Sequence, residues 1–158
     1  MQVKRKRKTE VVTNYRHVLL ATDLSAAGEA AALRAADLAR RFRARLTLLY
    51  VIEHFPEDFP GTPVPPEDVD PEKYFMQEAR VKLAALASKI KRNSATQHVV
   101  ISSRSARDEI VRAVQNWKID LIVIGSHDPD LLQSLLGSTA SSVLNHARCD
   151  VFAVHPRR

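Results

Sequence analysis

Arg45-Leu-Thr-Leu-Leu-Tyr-Val-Ile52 is a run in which apolar and β-prone residues follow one another almost without interruption. A strand with one face in water alternates apolar and polar residues, whereas a run this continuous fits a strand covered on both faces of a parallel sheet. Two similar runs lie to either side of it: Arg16-His-Val-Leu-Leu-Ala-Thr22, ending at Asp23, and Ile119 to Ile124, ending at Gly125. Both have the length and boundaries of buried strands.

The segments between these runs have a different period. Ser25 is placed to cap a helix in which Ala31, Ala35, Leu38 and Phe42 share one face. Its alanines make that face flat, so Ala30 to Ala39 reads as a helix lying on a sheet. After Pro71, the spacing of Met76, Ala79, Leu83, Leu86 and Ile90 predicts a second amphipathic helix, with Lys82, Lys89 and Arg92 turned outward. His98 to Ser102 is a short β-branched strand, and Ser105-Ala-Arg-Asp108 reads as a capping box opening a third helix through Ile110, Val111, Val114 and Trp117. A last helix over Ser138 to Ala147 precedes a final strand, Asp150 to Val154. Six of the eight prolines, at 56, 60, 63, 65, 66 and 71, fall after Glu53-His54 and mark a long loop, either a lid or simply mobile.

The order is therefore βαβαβαβαβ. Strict alternation demands right-handed crossovers, hence an α/β, doubly wound, five-stranded parallel sheet with helices on both faces. Ligands of such sheets bind outside the carboxyl ends of the strands, where the winding reverses.

With 158 residues, 45% apolar and 27% charged, the chain has the composition of a single globular domain that buries roughly 70% of its unfolded surface. No run approaches the roughly 20 apolar residues of a membrane span, and the sequence shows no secretory signal, so a cytoplasmic protein without membrane contact is expected. One cysteine, Cys149, excludes an internal disulfide and reads as a packing residue. Lys4 to Lys8 supply five of the net +6 charges, and subtracting them leaves +1 for the rest. Residues 1–14 thus read as a basic arm, solvated and disordered, and 15–158 as the domain. Weak, sequence-blind contact of Lys4 to Lys8 with nucleic acid is the most the arm suggests, since no stacking platform accompanies it.

Chemistry gathers at two strand ends: Thr22-Asp23, and Gly125-Ser126-His127-Asp128 followed by Gly137-Ser138-Thr139. Glycines let a backbone approach a phosphate, and hydroxyls and N–H groups at the start of the last helix favour an anion. The plainer alternative is that Gly125 ends a strand and Ser138 caps a helix. No nucleophile with a base partner is identifiable, so no catalytic residue is assigned, and the six histidines lack metal-ligand spacing, so no metal site is assigned. Trp117 reads as a packing residue.

From Tyr15 to His155 the chain resembles the universal stress protein family. The likeness is carried by Tyr-Arg-His-Val-Leu-Leu-Ala-Thr-Asp (15 to 23), Leu-Leu-Tyr-Val (48 to 51), Asp-Leu-Ile-Val-Ile-Gly-Ser-His (120 to 127), Leu-Leu-Gly-Ser-Thr-Ala (135 to 140) and Cys149-Asp-Val-Phe-Ala-Val154. The resemblance implies strand order 3-2-1-4-5, with the switch point between strands one and four. It implies a non-enzymatic stress-response regulator that pairs as a homodimer through its last strand, Val151 to Val154. It further implies an ATP site, with Mg²⁺, in which Asp23 and the Val51 backbone hold adenosine. Thr22, Gly125, His127, Gly137, Ser138 and Thr139 complete that site in the pattern Gly-x2-Gly-x9-Gly-Ser/Thr.

This chain departs from the pattern. Asp128 stands in the second glycine's place, and eight residues rather than nine separate it from Gly137. At an effective dielectric of about 20, a like-charge pair near 4 Å costs on the order of 4 kcal/mol, or about three decades of affinity. The alternative is a family member that binds no nucleotide, as some do not. A slow ATPase is the further alternative, though the chain has no Walker lysine after Gly137.

Overall fold

A computed structural model describes residues 14–53, 64–92, 94–126 and 137–155. The basic arm, most of the proline-rich loop, His127 and Asp128 lie outside these residues. The elements run β1 (His17–Ala21), α1 (Ala26–Phe42), β2 (Arg45–Ile52), α2 (Pro71–Lys89), β3 (Thr96–Ile101), α3 (Ala106–Trp117), β4 (Leu121–Gly125), α4 (Ser138–His146) and β5 (Asp150–Val154). The strands form one sheet in the order β3-β2-β1-β4-β5, with every pairing parallel. This is the order that the resemblance implied.

Successive residues of a strand point to opposite faces, and the core divides accordingly. Val18, Leu20, Leu46 and Leu48 pack under the alanines of α1 and under Leu83 and Leu86 of α2. Leu19, Ala21, Leu49, Ile122 and Ile124 meet Ile110 and Val114 of α3 and Val143 of α4 on the other face. Buried on both faces, β1, β2 and β4 have the continuous apolar runs that a parallel sheet requires.

Local structure departs from expectation at three places. Pro71, read as loop, is the first residue of α2, where Asp70 accepts the Glu72 N–H at 3.0 Å. Proline has no N–H to waste at that position and its φ already suits a helix. Phe75 rather than Met76 is the buried residue of that turn. Strand β3 begins two residues before His98 and ends one before Ser102, whose N–H still bonds to the Ile52 carbonyl at 3.0 Å.

Polar clamps close the N-terminal end of the sheet. Asp120 accepts the N–H groups of Arg16 and His17, and the Tyr15 hydroxyl donates to Asp150 at 2.7 Å, which pushes the phenol up to about 12. Buried His17 sits between the Trp117 carbonyl and the Thr47 hydroxyl. A carbonyl only accepts, so Nδ1 carries the proton and Nε2 is free to accept from Thr47. Burial lowers the His17 pKa, and the ring is neutral at pH 7. Trp117 stacks on His98 with ring centroids 4.4 Å apart, the packing role expected of it.

Candidate functional site

Because β1 and β4 are neighbours whose following helices, α1 and α4, lie on opposite faces, their carboxyl ends part to leave a crevice of about 500 Å³. That volume lies within the range of small-molecule sites. Thr22 and Asp23 line it on one side and Gly125, Ser126, Gly137, Ser138 and Thr139 on the other, with Val51 contributed by β2. Seven of the eight residues singled out from sequence thus come together, and the eighth, His127, falls outside the described residues.

The turn after β1 holds Asp23 in place. Thr22 Oγ1 accepts the Leu24 N–H at 3.0 Å, which supports Leu24 at φ 62°, a conformation few non-glycine residues adopt. Asp23 Oδ1 accepts both the Ser25 N–H at 3.0 Å and the Ser25 hydroxyl at 2.5 Å, and Ser25 Oγ caps α1 by accepting the Gly28 N–H at 3.2 Å. Thr22 is buried and spent on the turn, whereas Asp23 is exposed to the crevice.

Two glycines owe their presence to this packing. A Cβ on Gly125 would lie 2.8 Å from the Ala27 backbone, so β4 and the first turn of α1 approach as closely as they do only because Gly125 has none. A Cβ on Gly28 would meet Thr22 Oγ1 at 2.6 Å. Gly125 therefore has a structural reason independent of any phosphate.

Helix starts differ in how they are satisfied. Ser25 caps α1, and Ser105 caps α3 by accepting the Asp108 N–H at 3.3 Å, while Glu53 accepts the Ala106 N–H. Helix α4 has no side-chain cap: Gly137 holds the cap position with φ −59° and ψ 155°, and Ser138, read from sequence as a possible cap, is the first helical residue. Its first turn lines the crevice and brings the positive end of the helix dipole to it.

Ser126 is fully buried and ties β4 to the end of β5. Its N–H and hydroxyl both donate to the Val154 carbonyl, at 2.8 and 3.0 Å, and His155 Nδ1 lies 2.7 Å from its Oγ. With the hydroxyl proton committed, His155 donates from Nδ1.

The charges around the crevice are uneven. Among the described residues, Asp23, Glu53, Glu78 and one cation, Lys82, line it. Lys82 is exposed, as expected, but stands on the crevice wall. Glu78 and Lys82 escaped the sequence reading of the site because helical period tells which residues leave the core, not which cavity they then border, and Glu53 and Phe75 carry no signal in the sequence that sets them at the crevice. Burial, with Asp23 nearby, raises the pKa of Tyr50 and keeps its hydroxyl protonated. Cys149 lies away from the crevice, its thiol pushed up to about 11 chiefly by burial, as suits a packing residue.

Parallel strands in the order 3-2-1-4-5, with a crevice at the switch point, define a doubly wound α/β domain, a class whose ligands bind at that place. Residues 14–155 match the model of the universal stress protein family. Universal stress protein A homolog 1 of Coxiella burnetii is 37% identical over 141 residues, which cover 89% of this chain and 96% of the relative. The chain belongs to the universal stress protein family. Among solved structures, a family protein from Burkholderia pseudomallei is 28% identical with a TM-score of 0.63, covering 89% of this chain and 96% of that one. The universal stress protein of Archaeoglobus fulgidus in complex with dAMP is 21% identical with a TM-score of 0.61, covering 88% and 97%, and shares the fold.

Proposed function

We propose that the protein is a cytoplasmic, non-enzymatic stress-response regulator that acts as a homodimer and binds an adenine nucleotide in the crevice between β1 and β4. The observation that carries this reading is the start of α4, which has no side-chain cap and borders the same space as Asp23. Phosphate oxygens satisfy the N–H groups of such a helix start and are favoured by the dipole, while Asp23 and the Val51 backbone are left for the sugar and base. That the Archaeoglobus protein was solved with dAMP supports the assignment.

Among the described residues three carboxylates and one lysine line the crevice, and with Asp128 close by in sequence they favour a ligand of low negative charge. A monophosphate meets this requirement. ATP would have to bring Mg²⁺ to offset its additional charge, and the first-turn N–H groups of α4 would hold its terminal phosphates. For dimerisation, β5 is a sheet edge with Phe152 42% exposed, and an uncovered edge strand seeks a partner.

Mass spectrometry of the small molecules released when the purified protein is denatured tests the reading. Adenine nucleotide released in stoichiometric amount supports it. A protein that releases none, and whose melting temperature does not respond to AMP or Mg-ATP, is the family member without nucleotide. A ligand at 100 times its dissociation constant should add about 2.7 kcal/mol of stability.

A further inference from the structure

In a parallel sheet with crossover helices, every helix ends where the next strand starts, so the C-termini of α1, α2 and α3 all lie at the N-terminal end of the sheet, opposite the crevice. Each closes in the same way. The chain takes one residue in the left-handed region, and the next residue returns its N–H to the carbonyl five positions back: Ala44 to Ala39, Arg92 to Ala87 and Ile119 to Val114. Glycine is the usual residue at such a position. Here the three residues are Arg43 (φ 52°), Lys91 (φ 55°) and Lys118 (φ 54°).

A cation near a helix C-terminus complements the dipole, but that does not account for the neighbours. Arg45 and Arg92 adjoin the same turns, Arg16 stands just before β1 with its carbonyl accepting the Arg45 N–H at 2.9 Å, and among the described residues none of the six cations forms an ion pair. The two carboxylates at this end are committed, Asp120 to the N–H groups of Arg16 and His17 and Asp150 to the Tyr15 hydroxyl.

Between the starts of β1, β2 and β3 the same face carries a groove of about 300 Å³ lined by His17, Arg45, Arg92, Ser94 and Thr96. Among the described residues the buried Nε of Arg92 has no hydrogen-bond partner. A buried donor on a charged group left unmade is costly, and a phosphate oxygen seated beside it would satisfy it. Five further cations, Lys4 to Lys8, join the chain six to ten residues before Asn14.

We propose that this end of the sheet is a binding face for the phosphate backbone of nucleic acid, with one phosphate seated between Arg45 and Arg92 and the others along Arg43, Lys91 and Lys118. The charges spread over three turns and the start of β1, more than one small anion can engage. No exposed large apolar side chain lies on those turns, which sets the face apart from one that inserts into a bilayer. Without an accompanying aromatic platform, recognition is of backbone charge and blind to sequence.

The test is fluorescence anisotropy of the full chain with labelled single-stranded and duplex oligonucleotides over a range of salt, beside the triple variant Arg43→Gly/Lys91→Gly/Lys118→Gly. Glycine is at ease in the left-handed region, so these changes remove charge while relieving the backbone; a melting curve confirms the fold. Wild type is expected to bind both forms, and the triple variant to show a salt slope on duplex shallower by about 2.7, three contacts at about 0.9 each. Arg92→Gln, a second and independent variant, is expected to weaken binding about tenfold, the loss of one charge-assisted contact. Deletion of residues 1–9 should leave measurable binding. An unchanged slope in the triple variant together with loss on deletion would assign the binding to the arm alone and overturn the proposal. Binding to vesicles of anionic lipid in preference to nucleic acid, or to neither, would overturn it as well.

Discussion

Ser25 donates its hydroxyl to Asp23 Oδ1 at 2.5 Å and accepts the Gly28 N–H at 3.2 Å through the same oxygen, so the cap of α1 and the exposed carboxylate of the crevice form one hydrogen-bonded unit. Ser25→Ala removes the link between them. It is expected to lower stability by about 1 kcal/mol, the usual value of an N-cap, and to loosen Asp23. Asp23→Ala leaves Ser25 free to cap, so it should cost less stability but weaken nucleotide binding about tenfold or more. Denaturant unfolding and calorimetric titration of the two variants check this ordering.

Gly125→Ala should destabilise. Its Cβ would stand 2.8 Å from the carbonyl carbon and oxygen of Ala27, and backbone yields less readily than the end of a side chain. Overpacking of this kind costs about 1–3 kcal/mol. Urea unfolding provides the comparison, and a stability equal to wild type would show that α1 can move away.

Stability should fall with acid through His17. Burial lowers the folded-state pKa below the unfolded value near 6.5, so between the two the unfolded chain binds more protons. The contribution of the neutral ring is complete above pH 6.5 and is lost as the pH drops toward the folded value. An NMR titration of the imidazole should show His17 protonating at a lower pH in the folded protein than in the unfolded chain.

Cys149, with its thiol near 11, should react with iodoacetamide at pH 8 about a hundredfold more slowly in the folded protein than in urea. Equal rates would show the thiol to be open to solvent and unperturbed.

Phe152→Asp places a charge on the exposed face of edge strand β5. If that edge joins two copies, light scattering should find a dimer for wild type and a monomer for the variant.

Where the sequence was legible, a single physical cause dominated. The runs Val18 to Ala21 and Leu121 to Ile124 are apolar because both faces are covered, and they read as strands without help. Ala31 and Ala35 read as a flat helix face and are fully buried against the sheet. Pro71 was misread because proline excludes a helix interior but suits its first turn, and only Asp70, capping from outside, separates the two cases. In the site, Asp23 and Gly137-Ser138 stood out as strand-end and helix-start residues. Gly28 did not, since its reason is a close approach to Thr22 that appears only once the turn is folded. Nothing in the sequence sets Lys91 and Lys118 apart from other lysines, since their left-handed conformation is a property of the folded turns.

The central claim is that α4 opens its N–H groups to a nucleotide phosphate, and Ser138→Pro tests it most directly. Proline is at home in the first helical position, and the extended Gly137 before it (ψ 155°) suits a residue preceding proline, so the variant should fold while losing one donor. By calorimetric titration with AMP, wild type should bind and Ser138→Pro should bind at least tenfold more weakly, with an unchanged melting temperature in the absence of ligand. Asp128→Gly, titrated in parallel with Mg-ATP, should gain affinity. Equal AMP affinities for wild type and Ser138→Pro, or no binding by wild type and Asp128→Gly alike, would contradict the account.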